Sequence, residues 1–293
     1  MTYNDILCKI ILLSFCQSLS AFGSKEVVHM LLAVDVGNTN ITIGVYDGES
    51  LYFTARTATD ADRTGDQYAV ELMGIFALYK CDVSLIDGAI VSSVAPAVTN
   101  AICSAVAKVV GIEPLVVGPG IKTGLNIAIN DPAELGADLL CASVAALNKY
   151  PLPNAVCDLG TASTIFVLDK DGKMIGGIIY PGIRTSLMAL VNNAALLPQI
   201  SYEKPKQVIG RNTIDSMRSG IILGAASLLD GMLDRIEEEL GMSVTAIATG
   251  GFSSDIVRNC KREFIIDENL VLEGLRLLYK KNARTKDQKV NKA

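Results

Sequence analysis

Two stretches of the chain place an aspartate, a glycine and small hydroxyl or amide side chains at the end of an apolar strand. The first is LLAVDVGNTNITIGVYDGES, in which the strand runs into Asp35 and Gly37. The second is AVCDLGTASTIFVLDKDGKMIGGIIYP, in which Asp158 and Gly160 hold the same places. Glycine lets the main chain approach a ligand closely, and the free N–H groups of such a turn bind phosphate while the carboxylate binds a cation. Both turns are therefore predicted to bind phosphate and its metal ion.

The two stretches also agree in their overall order of strand, turn, strand, Asp-Gly hairpin and third strand. One D-x-G match would be weak evidence, but agreement over a three-strand pattern is much stronger. It predicts two similar lobes, each offering a phosphate turn to a shared cleft. Gly250 and Gly251 follow another apolar strand and would let a flat base approach the backbone. Any of these glycines alone is more often an ordinary turn residue, whereas the paired turns favour a site.

A base that accepts a proton from a hydroxyl must be a carboxylate here, because the chain contains a single histidine, His29. Asp138 is the best candidate. It lies early in an otherwise apolar helical segment, and Gly136 and Ala137 before it leave space around its side chain. The alternative is an exposed first-turn aspartate that stabilises the start of a helix. Spacing alone leaves both interpretations open.

The composition limits the classes of protein that remain possible. The chain has 293 residues, half of them apolar, which is enough for one large domain or two ordinary ones with a sizeable core. A net charge of -5 offers no electrostatic footprint for nucleic acid, and one histidine leaves little scope for a zinc site or a serine-protease triad. The seven cysteines form no C-x-x-C pair, and we expect buried thiols at Cys81, Cys103, Cys141 and Cys157.

Residues 1–29 form an N-terminal extension that has two explanations. Lys9 followed by IILLSFCQSLSAFG resembles a signal peptide, and the run is too short and too polar for a membrane span. Alternatively the start codon is misassigned, since Met30 directly precedes the first strand. We favour the misassigned start, because free cysteines and a nucleotide-type turn suit a reducing, cytoplasmic location.

The elements that position these residues alternate between strands and helices, which predicts an α/β layered fold. Residues 30–56 should form three strands, followed by a helix that begins at Asp66 and has Val70, Met73, Phe76 and Ala77 at helical spacing. The strands DGAIVSSVAP and EPLVVG should flank the helix NAICSAVAKVVG. This N-terminal lobe is expected to span residues 30–150.

The second half repeats this rhythm. A helix over about residues 133–149 should start with Asp131 as its N-cap and Pro132 in its first turn. GIRTSLMALVNNAALLP should form a helix closed by Pro198, and a long helix should begin at Thr213 and stop at Gly241. The C-terminal lobe is expected to span residues 151–279, with a basic, frayed tail over 280–293.

In combination, these features resemble the type III pantothenate kinases, which belong to the acetate and sugar kinase/Hsp70/actin superfamily. The resemblance extends from Met30 to about Tyr279. It rests on the motifs DVGNTN, DRTGDQY, VSSVAP, GIKTGLNI, DPAELGAD, DLGTAST, YPGIRTSL, IGRNT and ATGGFSSDI. It implies two lobes of actin/ribonuclease H-like fold with a nucleotide cleft between them. It further implies ATP- and Mg²⁺-dependent phosphorylation of pantothenate to 4'-phosphopantothenate, the first step of coenzyme A synthesis, by a homodimer whose active sites involve the interface.

The resemblance also implies roles for individual residues. Asp138 is the proton acceptor, and Asp158 binds a monovalent cation, K⁺ or NH₄⁺. The positions implied to bind ATP are Asp35, Val36, Gly37, Asn38, Thr39, Asn40, Ile41, Thr42 and Thr161. The positions implied to bind pantothenate are Ile129, Gly136, Ala137, Asp138, Leu139 and Thr213.

Two positions depart from the family pattern, and both lie at the pantothenate end. The family usually has an arginine directly after the proton-accepting aspartate, where this chain has Leu139, and a tyrosine nine residues before it, where this chain has Ile129. A lost arginine–carboxylate pair typically costs on the order of tens- to thousand-fold in affinity. Arg184 or Lys122 could replace the missing cation.

These departures leave three functions open. The first is a cytoplasmic pantothenate kinase. The second is a non-catalytic, ATP-binding relative that acts as a regulatory or accessory transcription factor, which Leu139 and Ile129 favour slightly and the retained Asp138 and Asp158 count against. The third is a kinase for a different, less polar hydroxyl acceptor.

Overall fold

The computed structural model describes residues 30–290, with side chains as far as residue 283. The signal-like run of residues 1–29 and the last three residues of the predicted tail lie outside the described residues, whereas Met30, the alternative start, is the first residue that is described. The described chain forms two mixed β-sheets, each with helices packed against it.

The first sheet has five strands in the order β3-β2-β1-β4-β5. The strands β1 (Met30–Val36), β2 (Asn40–Asp47) and β3 (Ser50–Ala58) form the predicted antiparallel meander. The strands β4 (Ile86–Ser93) and β5 (Leu115–Val116) continue the sheet in parallel with β1. The parallel pairing brings the carboxyl ends of β1 and β4 to the same edge.

Two helices cover one face of this sheet. They are α1 (Gly65–Leu78) and α2 (Pro96–Val110), which pack against each other. Tyr68, Leu72 and Phe76 of α1 are buried in the core between the helices and the sheet. This layer is what excludes water from one side of the strands that end at the predicted phosphate turn.

The start and the buried face of α1 differ from the prediction. Thr64, not Asp66, is the N-cap of α1. Its hydroxyl accepts a hydrogen bond from the N–H of Gln67, and the Gln67 side chain accepts one from the N–H of Thr64, which together form a capping box. Val70 and Met73 are 71% and 60% exposed and Ala77 is also exposed, so of the four residues expected on the apolar face only Phe76 is buried. A second apolar stripe on the same helix makes contact with the core instead.

The second sheet repeats the first. The strands β7 (Asn154–Leu159), β8 (Ala162–Leu168) and β9 (Lys173–Pro181) form an antiparallel meander. The strands β10 (Thr245–Thr249) and β11 (Ile265–Ile266) extend it in parallel with β7. The resulting order β9-β8-β7-β10-β11 matches that of the first sheet in both sequence and direction, which confirms two similar lobes.

One short strand and one helix connect the two sheets. The strand β6 (Asn126–Ile127) pairs in parallel with β9 at the edge of the second sheet. Asp131 then caps a 3₁₀ turn over Pro132–Glu134, so the expected helix start at Asp131 is wrong. The helix α3 (Ala137–Lys149) begins after Gly136 and contacts β4, β7 and β8. It therefore packs against strands of both sheets.

Helices also cover the second sheet. They are α4 (Ile183–Asn193), α5 (Thr213–Arg218), a π-helical segment (Ser219–Leu223), α6 (Gly224–Leu240) and α7 (Ser253–Val257). Side chains of α4 and α6 join strands β7 and β8 in the core of this lobe.

Three expectations for these helices are corrected, and one is confirmed. The helix α4 ends at Asn193, before Pro198. Asn212, not Thr213, caps α5 by accepting a hydrogen bond from the N–H of Asp215. The predicted long helix is interrupted by the π-helical turn. Gly241 ends α6 in the left-handed conformation, as predicted.

The last helix, α8 (Leu270–Val290), packs against α3 and contacts β1, β2 and β4 of the first sheet. It continues past residue 280, so the frayed tail expected from that point is helical as far as the structure describes it. The lobe limits at 150/151 and 279/280 stay a prediction.

Candidate active site

The carboxyl ends of β1 and β7 face each other across a cleft of about 490 Å³. The predicted residues that line it together are Asp35, Gly37, Asn38, Thr39, Asn40, Asp138, Leu139, Asp158 and Thr161. The cleft is also lined by Arg56, Val94, Thr164, Arg184, Gly251 and Phe252.

The two predicted phosphate turns touch each other. The hydroxyls of Thr39 and Thr161 are 2.8 Å apart. Within the first turn, the N–H of Gly37 donates a hydrogen bond to the carbonyl of Asn40 at 3.0 Å. The hydroxyl of Thr59, the residue after β3, donates to the carbonyl of Gly37 at 2.7 Å and so holds the turn against that strand. Each turn thus presents small polar groups to the space between the lobes.

Asp35 lies at the end of β1, opposite Ser92 of the parallel strand β4. The Ser92 hydroxyl donates a hydrogen bond to the Asp35 carboxylate at 2.5 Å. Burial raises the pKa of Asp35 to about 7, against the lowering effect of this bond, and the charge of Asp138 raises it further.

Asp158 holds the equivalent place at the end of β7. Its pKa is also raised to about 7, first by burial and then by the charges of Asp138 and Asp35. Gly250 has a φ of 89°, and a Cβ there would lie 2.5 Å from the Asp158 Oδ1 atom. The turn that we expected to receive a flat base is therefore packed directly against this carboxylate.

Thr164 adds an unpartnered oxygen beside Asp158. It pairs with Asp158 across β7 and β8. Its hydroxyl is buried and has no hydrogen-bond partner within the described part of the chain. A carboxylate next to an orphaned hydroxyl oxygen is a donor set that suits a cation.

Asp138 lies in the first turn of α3, as predicted. The N–H of Leu139 donates to its Oδ1 atom at 2.7 Å, and burial raises its pKa despite that bond. A Cβ at Gly136 would lie 2.6 Å from the same Oδ1 atom. The glycine before the helix therefore leaves the room that the carboxylate occupies.

Some predicted residues lie elsewhere. The side chains of Val36 and Ile41 are 0% and 1% exposed in the core, so only their main chain can face a nucleotide. Ile129 is half-buried in the segment before α3. Thr213 lines a separate groove, together with Leu190 and Arg211. Within one copy of the chain, Thr213 therefore does not line the cleft that contains Asp138.

Four contributors to the site were not predicted, namely Ser92, Thr164, Arg56 and Phe252. Ser92 was part of the motif VSSVAP at the end of a buried strand, and its pairing with Asp35 follows once β4 is placed parallel to β1. The N–H of Phe252 donates to the carbonyl of Leu159 at 3.3 Å, which seats the glycine turn on the second phosphate turn.

The arrangement has the parts that phosphoryl transfer to a hydroxyl requires. Phosphoryl transfer needs phosphates held close to backbone N–H groups, charge neutralised by cations and a base near the hydroxyl. Both glycine turns and the carboxylates of Asp35, Asp138 and Asp158 line the same cleft.

The family model for type III pantothenate kinases matches residues 31–235, more than half of the chain. The chain belongs to this family. A type III pantothenate kinase of Exiguobacterium sibiricum is 42% identical over 253 residues, which cover 86% of this chain and all of the relative. One of Syntrophus aciditrophicus is 40% identical over 254 residues, which cover 87% of this chain and all of the relative.

Solved structures confirm the fold of this type III pantothenate kinase family member. A protein described as a Baf family transcriptional activator from Campylobacter jejuni has a TM-score of 0.56 at 17% identity, over 86% of this chain and 99% of its own. One described as a 2-dehydro-3-deoxygalactonokinase from Sinorhizobium meliloti has a TM-score of 0.52 at 14% identity, over 85% and 96%. At such low identity both matches show the two-lobed actin-like fold alone. The first gives no support to a regulatory role.

Within residues 30–290, no helix is both long enough and apolar enough to cross a bilayer.

Proposed function

We propose that this family member transfers the terminal phosphoryl group of ATP to the terminal hydroxyl of pantothenate, giving 4'-phosphopantothenate for coenzyme A synthesis. The observation that best supports this is one cleft in which two phosphate turns, Asp35, Asp158 and Asp138 all meet. Identities of 40% or more over whole relatives named type III pantothenate kinase support pantothenate as the acceptor.

The first turn binds the phosphates of ATP through its free N–H groups and the side chains of Asn38, Thr39 and Asn40, and Thr161 approaches from the other lobe. Asp35 is the residue placed to hold Mg²⁺, directly or through water. Its raised pKa fits that role, because a nearby cation would favour the ionised carboxylate that burial disfavours. Mg²⁺, when bound, neutralises charge on the phosphates.

A monovalent cation, K⁺ or NH₄⁺, is assigned to Asp158. The support is the buried, unpartnered hydroxyl of Thr164 directly across the strand pair, together with the pKa of about 7 at Asp158. Both features describe oxygen donors that lack a positive partner.

Asp138 accepts the proton of the pantothenate hydroxyl. A base works best when its pKa lies closer to the working pH than that of an ordinary aspartate, and burial shifts Asp138 in that direction. The helix start and the N–H of Leu139 hold the carboxylate toward the cleft.

Arg184 is assigned to the carboxylate of pantothenate, in place of the arginine that Leu139 replaces. Arg184 lines the same cleft as Asp138 and Leu139. Lys122 is the weaker candidate, because its segment is bound to α8, where the Asn282 side chain pairs with both the N–H and the carbonyl of Lys122 at 3.0 Å.

A homodimer would complete the acceptor site, with Thr213 of the partner subunit reaching the cleft. The support is a set of exposed apolar side chains that line the groove of Thr213 or lie close to its lining residues in the sequence, and a second copy would cover them. They are Leu190, Leu196, Val208, Ile209 and Ile214, with exposures from 41% to 93%. Sedimentation of the wild type and I209D tests this, and a wild type that sediments as a monomer would contradict it.

We also assign the protein to the cytoplasm, which the unpaired cysteines Cys81, Cys141 and Cys157 support.

Product analysis distinguishes the pantothenate kinase from the two alternatives, a regulatory protein and a kinase for another acceptor. Purified protein would be incubated with ATP, Mg²⁺ and K⁺ and with pantothenate or other small hydroxy acids, and products identified by mass spectrometry. We expect phosphorylated pantothenate as the main product. Preferred phosphorylation of another acid, or no product, would contradict the proposal.

A further inference from the structure

The row of residues that contains Asp35 continues across the first sheet to an arginine with no assigned role. Asp35 of β1 is paired with Thr42 of β2, and Thr42 is paired with Arg56 of β3. Directly paired residues of neighbouring strands project from the same face of a sheet. Arg56 therefore projects from the face that carries Asp35.

The side chain of Arg56 reaches from the first lobe to the second. It is exposed and lines the cleft together with both phosphate turns. Its Nη1 atom is 3.9 Å from the position that a Cβ would take at Gly251. Gly251 belongs to the glycine turn that packs on Asp158, so the guanidinium lies between the first sheet and that turn.

No described residue pairs with the positive charge of Arg56. Within the described part of the chain, its guanidinium makes no ion pair or hydrogen bond. The three carboxylates of the cleft, Asp35, Asp138 and Asp158, all have raised pKa values, and none of them is lowered by an arginine. An exposed guanidinium at the cleft without a protein partner is available to an anion.

The second lobe shows that the fold does not require a cation at this position. The equivalent row there runs from Asp158 through Thr164 to Ile179. Ile179 is 75% exposed and occupies the place of Arg56. Since the same sheet accepts an isoleucine, the arginine of the first lobe is not needed to form the strand row.

We propose that Arg56 is a phosphate-binding residue that holds the nucleotide phosphates against the first turn from the side of the Gly250-Gly251 turn. A guanidinium presents paired N–H donors that match phosphate oxygens in a bidentate geometry. The assignment rests on the proposed function only in that the anion is a nucleoside di- or triphosphate. It separates the two arginines of the cleft, with Arg56 on the nucleotide and Arg184 on the acceptor.

The test is calorimetric binding of ADP with Mg²⁺ to the wild type, R56A and R56K, without pantothenate. We expect R56A to weaken ADP binding about 10- to 100-fold, because charge-assisted hydrogen bonds are lost. R56K should fall between, since lysine keeps the charge and loses the paired donors. Adenosine, which has no phosphate, should bind all three proteins equally, and this also shows that the variants are folded.

Steady-state kinetics of R56A and R184A provide the contrast. R56A should raise the KM for ATP more than that for pantothenate, and R184A should do the reverse. Unchanged ADP binding in R56A, or equal weakening of ADP and adenosine, would overturn the role of Arg56. A wild type that binds ADP in an Arg56-dependent manner but does not phosphorylate pantothenate would refute the proposed function and leave Arg56 supported.

Discussion

Asp35 and Asp158 occupy equivalent places in the two sheets, and burial raises the pKa of each to about 7. Strong perturbation of carboxylates in a cleft is typical of functional sites. Here the physical cause is clear, since no arginine or lysine of the described chain lowers either pKa. The cleft therefore holds two carboxyl groups whose ionised form is stabilised by no described lysine or arginine.

These pKa values predict how the stability of the cation-free protein depends on pH. An aspartate of the unfolded chain titrates near 3.8, whereas both folded carboxyls titrate near 7. Between those values the folded state holds protons that the unfolded state has released, so stability falls as the pH rises. We expect the Tm without added cations to fall between about pH 4 and about pH 7.

The control for this prediction is D158N, because asparagine cannot ionise. Its Tm should fall less over the same range, and added Mg²⁺ and K⁺ should raise the wild-type Tm more at the higher pH. Differential scanning fluorimetry measures both effects. A wild-type Tm that rises over this pH range would contradict the raised pKa of the two aspartates. A Tm of D158N that falls as steeply as that of the wild type would contradict the contribution of Asp158.

At this scale, local spacing was enough to bring Asp35, Asp138 and Asp158 together at one cleft. Asp35 and Asp158 each precede a glycine turn, and Asp138 lies at a helix start. Ser92 and Arg56 were not assigned, because their positions near Asp35 depend on which strands pair and in which register. A single sequence does not show that register.

At the scale of elements, the position of Asp138 depends on how closely α3 and α8 pack. Gly274 of α8 lies against the main chain of α3, and a Cβ there would be 1.9 Å from the carbonyl oxygen of Cys141. Backbone cannot yield as a flexible side chain can. The two helices can therefore approach this closely only if residue 274 is a glycine.

Two helical glycines make a matched test of this contact. G274A should destabilise the protein by about 3 kcal/mol, since the added methyl group forces α3 and α8 apart. G74A in α1 has open space around its Cβ and should stabilise the protein by about 0.5–1 kcal/mol, because alanine favours the helix. Urea unfolding of both variants measures the difference. Equal free energies of unfolding would show that the α3–α8 contact is not tight.

The strands were easier to predict than the helix boundaries. Apolar runs bounded by Asp-Gly turns located all three strands of each meander. The start of α1 was misplaced because Thr64 and Asp66 are both good caps, and the geometry of Gln67 decides between them. The buried face of α1 was misassigned because that helix has apolar residues on two sides, and only the sheet selects one.

At the scale of the whole molecule, two sheets of the same strand order face each other with their aspartates at the meeting edges. The internal repeat predicted this architecture. The return of α8 to the first sheet was not predicted, because its contacts with α3 and β1 join residues far apart in the sequence. Thr213 lines a groove separate from the cleft, and its local sequence gave no sign of that separation.

The most direct test of the central claim is the pantothenate-dependent release of ADP by the wild type, D138N and E134Q in the presence of Mg²⁺ and K⁺. Glu134 is exposed on the turn before α3 and controls for the loss of one negative charge. We expect turnover by the wild type and by E134Q, and a kcat about 10²- to 10⁴-fold lower for D138N, since a general base contributes on that order. No pantothenate-dependent ADP release by the wild type, or an unchanged kcat for D138N, would contradict the account.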